Sequence, residues 1–234
     1  MMKAFTLAEV LITLGIIGIV AAMTLPALIN KTHGAQYRTA LQKSYSILQQ
    51  ALQSLNADQG FVAKRDTYAN RTFANYYKQY FKIAKDCSLT SCITTSTDEN
   101  NNANVINAYQ TYSRNRKVGS YFFDDGQFIL TDGMVVLIED NTALAGEGNS
   151  NSGVGAMFIS VDINGYNKKP NAWGHDLFTF QIMNDSGKLL PMGANGTIFT
   201  DMDQYCSATS SNSQNGIACT YKALTDKDYF NNLP

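Results

Sequence analysis

The chain has 234 residues and nearly balanced charge, with 18 Lys and Arg against 19 Asp and Glu, for a formal net charge of -1 at pH 7. Its length suits one domain of ordinary size beside a membrane segment, and without a basic excess there is no electrostatic footprint for nucleic acid beyond a local patch. Only 16% of residues are charged, and the region beyond the N-terminus is rich in Asn, Ser, Thr, Gly and Tyr, a composition suited to a domain outside the cytoplasm.

The N-terminus reads Met1-Met2-Lys3-Ala4-Phe5-Thr6-Leu7-Ala8-Glu9 and passes into an apolar run from Val10 to Ile29, interrupted by Thr13, Gly15, Gly18, Thr24 and Pro26. As a helix this run covers about 30 Å, one bilayer core. It is long for the apolar region of a cleavable secretion signal, and only Lys3 precedes it. By the positive-inside rule Lys3 places the start in the cytoplasm and everything after Lys31 outside. Glu9 stands at the mouth of the span, where a carboxylate needs a partner. A cut between Ala4 and Phe5 would place the new amine one helical turn from it.

A short basic leader, Ala-Phe-Thr-Leu-Ala-Glu and an apolar helix together resemble the class III signal of type IV prepilins and type II secretion pseudopilins. The family usually has Gly where this chain has Ala4. The resemblance implies that residues 1-4 are a leader removed by a membrane-embedded prepilin peptidase, which N-methylates Phe5. It implies that Glu9 neutralises the amine of a neighbouring subunit during assembly, and that Pro26 is the family's helix-bending proline. A weak point there is expected physically too, since proline lacks an N–H and clashes with the preceding turn. The implied partners are the peptidase, copies of the chain or related pilins, an inner-membrane assembly platform, and lipid before assembly. The implied place is the bacterial inner membrane, crossed once, and then a periplasmic or surface filament. An uncleaved signal anchor on an unrelated domain is the plain alternative.

Past Asn30 the helix is expected to continue over 31-59 as an amphipathic half of the 5-30 assembly helix. Tyr37, Leu41, Tyr45, Leu48, Leu52 and Leu55 form one stripe, and Gly60 is a stop. His33-Gly34 reads as a soft spot. Residues 60-120 read as a helical and loop insertion, with a second helix over Thr67 to Lys85 bearing Tyr68, Phe73, Tyr76, Tyr77, Tyr80, Phe81 and Ile83. That aromatic face suits packing on the first helix better than stacking on bases or sugars. Thr94 to Asn104 reads as a surface loop.

The four cysteines fall as two local pairs, Cys87 with Cys92 and Cys206 with Cys219, although four cysteines permit three connectivities. Their spacing lacks the Cys-x-x-Cys and histidine pattern of zinc sites, which favours disulfides in an oxidising compartment. Cys206 with Cys219 also resembles the C-terminal disulfide loop of many pilins.

From 121 to 234 the period becomes that of strands: Gln127 to Thr131 and Met134 to Glu139 flank the hairpin signal Asp132-Gly133, and Ala156 to Val161 and Leu177 to Met183 follow. Asp185-Ser186-Gly187 turns the chain towards Lys188-Leu189-Leu190. The expected fold is α+β and pilin-like, a long N-terminal helix on a small antiparallel sheet with a disulfide-closed C-terminal region.

Asp162, Asn164 and Asp176, with Asn171 between them, offer oxygen ligands to a hard cation such as calcium. Their spacing is not that of an EF-hand, but Pro170-Asn171-Ala172-Trp173-Gly174-His175-Asp176 resembles the Pro-Trp-Gly stretch of major pseudopilins, which carry a calcium loop. An Asn/Asp-rich turn network accounts for the same residues without an ion. Catalysis has little support: the histidines are His33 and His175, and Gly146 to Gly153 lacks the lysine of a phosphate loop and reads as a flexible connection. No catalytic residue and no obligatory cofactor are expected. The leading expectation is a pilin or minor pilin. The alternatives are a pseudopilin of type II secretion, a competence subunit that takes up DNA, and an anchored binding or hydrolytic domain that never polymerises.

Overall fold

A computed structural model describes residues 6–87, 91–97, 104–142 and 156–234, leaving aside the side chains of 26–31 and 141–142. Ala4 and Phe5, and the Gly146 to Gly153 connection, lie outside the described residues.

One helix, α1 (Leu7–Gln59), spans 53 residues, about 80 Å at the usual rise. Its start is set by Thr6 in extended conformation, and its end by Gly60, which takes the left-handed conformation (φ 73°) and donates its N–H to Asn56 O. Leu7–Leu25 has a mean hydropathy of 2.2, is long and apolar enough to cross a membrane, and buries none of its surface on the rest of the chain. The helix continues through Pro26, whose side chain is not among those described.

From Gly34 onward α1 changes surroundings. Leu41, Leu48, Leu52 and Leu55 are all but fully buried, and Tyr37 and Tyr45 pack against the same core. Each such leucine contributes roughly 1.5–3 kcal/mol relative to an exposed one. At Gly34 the helix is continuous, and a Cβ there would lie 2.9 Å from Asn231 Oδ1 and 3.4 Å from Phe230 Cβ. Its missing side chain lets the C-terminal tail, a 3-10 turn at Tyr229–Asn231, lie directly on the helix. Arg38 Nη1 donates to Asp226 O at 3.0 Å beside this crossing.

The helix expected over Thr67 to Lys85 is far shorter. Only α2 (Phe73–Tyr77) is α-helical, followed by a 3-10 turn at Lys78–Tyr80, after which Ile83–Asp86 is a strand, β1. Two tertiary contacts override the aromatic periodicity. Arg71 is held at positive φ (64°), with its N–H and that of Phe73 donating to the two Asp140 carboxylate oxygens at 2.6 and 2.8 Å, so the helix starts late. Downstream, β1 pairs with the edge of the main sheet. The aromatic face does serve the core: Tyr77 is buried and its hydroxyl donates to Leu48 O of α1 at 2.6 Å.

The rest is two antiparallel sheets. The larger has the order β1-β5-β6-β7-β8-β9, where β5 is Gly126–Leu130, β6 Val135–Thr142, β7 Ala156–Asp162, β8 Leu177–Ile182 and β9 Leu189–Pro191. Asp132-Gly133 turns β5 into β6, with Gly133 at φ 91°. A smaller sheet, β2 (Thr95–Thr97), β3 (Asn104–Gln110) and β4 (Lys117–Gly119), lies within what reads in the sequence as a loop and helical insertion.

Every residue of β7 and β8 is buried, because this part of the sheet is covered on both sides. Phe180 stacks on Tyr45 of α1 with ring centroids 5.1 Å apart. On the opposite face Thr179 receives Trp173 Nε1–H at 2.9 Å, Gln181 Oε1 receives the Ile198 N–H, and Phe158 packs near Phe122 and Phe199. The molecule is α+β, with the buried half of α1 on one side of the sheet and a layer that includes Phe122, Trp173, Ile198 and Phe199 on the other, while the C-terminal tail returns to the α1 side through Phe230, which packs on Tyr37 and Phe178. Two short helices follow, α3 (Met202–Tyr205) and α4 (Cys219–Thr225), the latter lying beside both β8 and α1.

Candidate functional site

At the head of α1, Thr6 and Glu9 form a reciprocal capping box. Glu9 N–H donates to Thr6 Oγ1 (3.3 Å), while Glu9 Oε2 accepts from the Thr6 N–H (2.9 Å) and the Thr6 hydroxyl (2.8 Å). This satisfies amide donors that a helix start leaves open. The Thr-x-x-Glu spacing of Thr6-Leu7-Ala8-Glu9 carries this signal, which sequence reading centred on the charge of Glu9 passes over. Below the box Leu11, Ile12, Leu14, Ile16, Ile17 and Ile19 are each more than half exposed. The arrangement is therefore an acidic group fixed at one end of an uncovered apolar rod.

Asp162 and Asp176 are brought together in the head, both fully buried. Asp162, at the end of β7, accepts the N–H groups of Asn164 (3.1 Å) and Gly165 (2.8 Å) on Oδ1, and the Tyr109 hydroxyl (2.8 Å) on Oδ2. Gly165 sits at φ 85° against the Gly133 carbonyl, where a Cβ would come within 2.6 Å, so glycine alone fits this turn. Asp176 accepts Ala172 N–H on Oδ1 and Asn171 N–H on Oδ2, both at 2.8 Å. Asn164 Nδ2 donates to the Tyr37 hydroxyl at 3.4 Å, linking the cluster to α1.

Burial, reinforced by the charge of Asp176, pushes the Asp162 carboxyl up to about 7. Burial pushes Asp176 up to about 6 against the pull of the Ala172 and Asn171 N–H groups. His175, also buried, is pushed down to about 4 and its Nε2 lies 2.9 Å from Tyr112 O. Tyr109 is raised well above its ordinary value by burial and then by the Asp162 charge. The acidic pair thus takes up protons near neutrality.

Every carboxylate oxygen of this pair already accepts a hydrogen bond from protein, as a turn network requires. Among the described residues, however, Asn164 Oδ1 and Asn171 Oδ1 are buried without a hydrogen-bond partner. Two carboxylates and two such amide oxygens are hard donors of the kind calcium takes, so Asp162, Asn164, Asn171 and Asp176 fit that ion in donor chemistry. Tyr37 is expected from the sequence only as a member of the helix stripe, and Tyr109 carries no signal there, since both reach the pair through the tertiary fold.

A second acidic group, Asp124, Asp125 and Glu139, has carboxylate oxygens within 4.8 Å of one another. Arg71 pairs with two of the three: Nε lies 2.6 Å from Asp125 Oδ1 and Nη2 3.1 Å from Asp124 Oδ2, while Asp125 Oδ2 accepts Asp140 N–H at 2.9 Å. This is the brace that holds the start of α2.

The cysteines are joined as Cys87–Cys92 and Cys206–Cys219, with Cα atoms 5.3 and 5.0 Å apart. The Ser/Asn-rich loop of the second bridge is organised by buried Asn215, whose Nδ2 donates to Ser207 O and Ser210 O and whose Oδ1 accepts Ser207 N–H. Trp173 is fully buried, its ring edge-on to Phe122 at 5.2 Å. No protein-family model matches the chain, and neither a curated protein nor a solved structure shows significant similarity to it.

Proposed function

We propose that this chain is a structural subunit, a pilin or minor pilin, of a type IV pilus-like filament, cut before Phe5 by a prepilin peptidase and assembled through its N-terminal helix. The observation that supports this reading most is that one unbroken helix is buried in the head over its second half and uncovered over its apolar first half, with Glu9 bonded at the tip. A tethered domain needs only a span and a linker. Continuity into the core instead makes the rod and the head one body, as a polymer whose contacts run through the rod requires. Before assembly the rod sits in the inner membrane with the head outside the cytoplasm; afterwards it bundles with other rods, Glu9 facing a neighbour's amine in a dry setting where an unpaired charge is costly. The protein carries out no reaction on this reading.

Mass spectrometry of the mature chain tests it. N-methylated Phe5 is the expected terminus, and an intact Met1 or Met2 would refute the reading. Glu9→Ala should leave the chain in the membrane and abolish filaments in electron micrographs. The pseudopilin variant of the same proposal is favoured by one observation, the unpartnered Asn164 and Asn171 oxygens beside Asp162 and Asp176 in the loop that carries Trp173.

A further inference from the structure

The end of the head from which the apolar rod leaves is defined by contacts to the first turns of the buried half of α1. Phe230 and Asn231 lie on Gly34, Arg38 Nη1 donates to Asp226 O, Asn164 Nδ2 reaches the Tyr37 hydroxyl, and Asp132 pairs with Lys43. The C-terminal tail, the loop after β7 and the β5–β6 turn therefore share this base. The β8–β9 turn is at the far end, against Val62 and Arg65 beyond the end of α1.

Continuity of the helix sets how far the base stands from a bilayer. The apolar run ends at Ile29, and from Asn30 to Gly34 the unbroken helix rises about 6 Å, whereas the headgroup layer on each side of a bilayer is about 5–8 Å deep. No linker lets the head lift away. The loop after β7 carries Lys168 and Lys169, in a turn closed by the Lys168 N–H on Gly165 O at 2.8 Å, and the tail carries Lys227 directly after Asp226. All three lysines are exposed, and among the described residues none forms an ion pair. The acids of this end are occupied instead by other donors. Asp132 takes Lys43, Asp226 Oδ1 accepts the Asp228 N–H at 2.9 Å, Asp228 Oδ1 accepts Asn231 Nδ2 at 3.4 Å, and Asp162 and Asp176 are buried in their turn network.

We propose that this base is a lipid-docking surface: Lys168, Lys169 and Lys227 rest on anionic phospholipid headgroups of the leaflet on the head's side and hold the head in one rotation about the rod before assembly. The inference rests on the reading of Leu7–Leu25 as a membrane span. Lysine suits the role, because a compact ammonium on a flexible apolar stem can follow a moving phosphate. Each cation near an anionic surface favours the docked state about fivefold.

The test reconstitutes the full-length chain, with chelator present, in vesicles of phosphatidylcholine alone or with phosphatidylglycerol added. A membrane-impermeant acetylating reagent is applied, and mass spectrometry reads Lys168, Lys169 and Lys227 against Lys64 and Lys188 of the same chains, which are exposed at the far end of the head. Phosphatidylglycerol should slow the three base lysines about fivefold or more relative to the other two, and about 0.5 M salt should restore them, since screening then acts within about 4 Å. Equal relative rates in the two vesicles overturn the proposal, as does protection that salt leaves in place. Lys168→Gln with Lys169→Gln removes no ion pair of the head and should return Lys227 to its rate in neutral vesicles; continued protection of Lys227 would show that the loop does not hold the head down. Protection by double-stranded DNA added to neutral vesicles, with none from phosphatidylglycerol, would assign the surface to nucleic acid and overturn the lipid. A chain that floats with neither vesicle removes the span itself, whereas one that floats and labels equally in both removes only the docking.

Discussion

Replacing Asp162 by Asn should change how the stability of this protein depends on pH. The folded carboxyl holds its proton to about 7, whereas the unfolded one releases it near 3.8. Between those values the folded state binds a proton that the unfolded state does not, so unfolding releases protons and stability falls as pH rises, levelling off above about 7. Asp176 adds a similar fall, ending near 6. His175 opposes both: buried and neutral down to about 4, it costs stability when the unfolded histidine is charged, and that cost vanishes as pH rises through 6.5. The descending limb should therefore be clearest between about pH 6 and 7.5. At about 1.4 kcal/mol per pKa unit the Asp162 term alone has an upper limit of about 4 kcal/mol, and sharing with Asp176 reduces the expected effect to about 2 kcal/mol. Asparagine fits the site: Oδ1 accepts the Asn164 and Gly165 N–H groups, and Nδ2 donates to the Tyr109 oxygen once that hydroxyl turns. Thermal unfolding of the full chain in detergent with chelator present should show Asp162→Asn close to the native protein at pH 4 and higher in Tm by roughly 4–8 °C at pH 8. A Tm difference of the same size at both pH values would refute a proton-linked origin.

Calcium bound at Asp162, Asn164, Asn171 and Asp176 would raise Tm, because a ligand that binds only the folded state stabilises it; an unchanged Tm in millimolar calcium would remove the ion from the account. Gly34→Ala should be near neutral, its Cβ pressing only on the movable Asn231 side chain while the helix gains propensity. Gly34→Leu should cost about 1–3 kcal/mol by lifting the tail, read as a lower Tm and faster proteolysis after Asp226. Cys206→Ser with Cys219→Ser should cost about 3 kcal/mol in the chain-entropy account, measured by urea denaturation, and a loss near zero would show that Asn215 and its bonds hold the loop unaided.

How far the fold could be read in advance depends on the sequence distance over which each element is decided. The apolar run, the stripe from Tyr37 to Leu55, the Gly60 stop and the Asp132-Gly133 hairpin are local patterns, and each lies where its pattern places it. Phe178, Phe180 and Ile182 alternate as one sheet face should, yet Thr179 and Gln181 between them are buried as well, because a second layer from the chain's end covers them. Alternation reveals a strand and says nothing of a distant cover. The missed elements fail for the same reason. β1 exists through pairing with β5, more than forty residues on, and α2 starts late because Asp140 holds the Arg71 backbone across 69 residues. The acidic pair follows this rule: Asp162 and Asp176 are visible as oxygen donors, but their raised proton affinity comes from burial and, for Asp162, from the charge of Asp176, against the pull of the Tyr109 hydroxyl from β3. Thr6 and Glu9 are the contrary case, a contact three residues apart that spacing alone discloses. The uncovered apolar rod below them is legible for the same reason, since it needs no tertiary fold to build its surface.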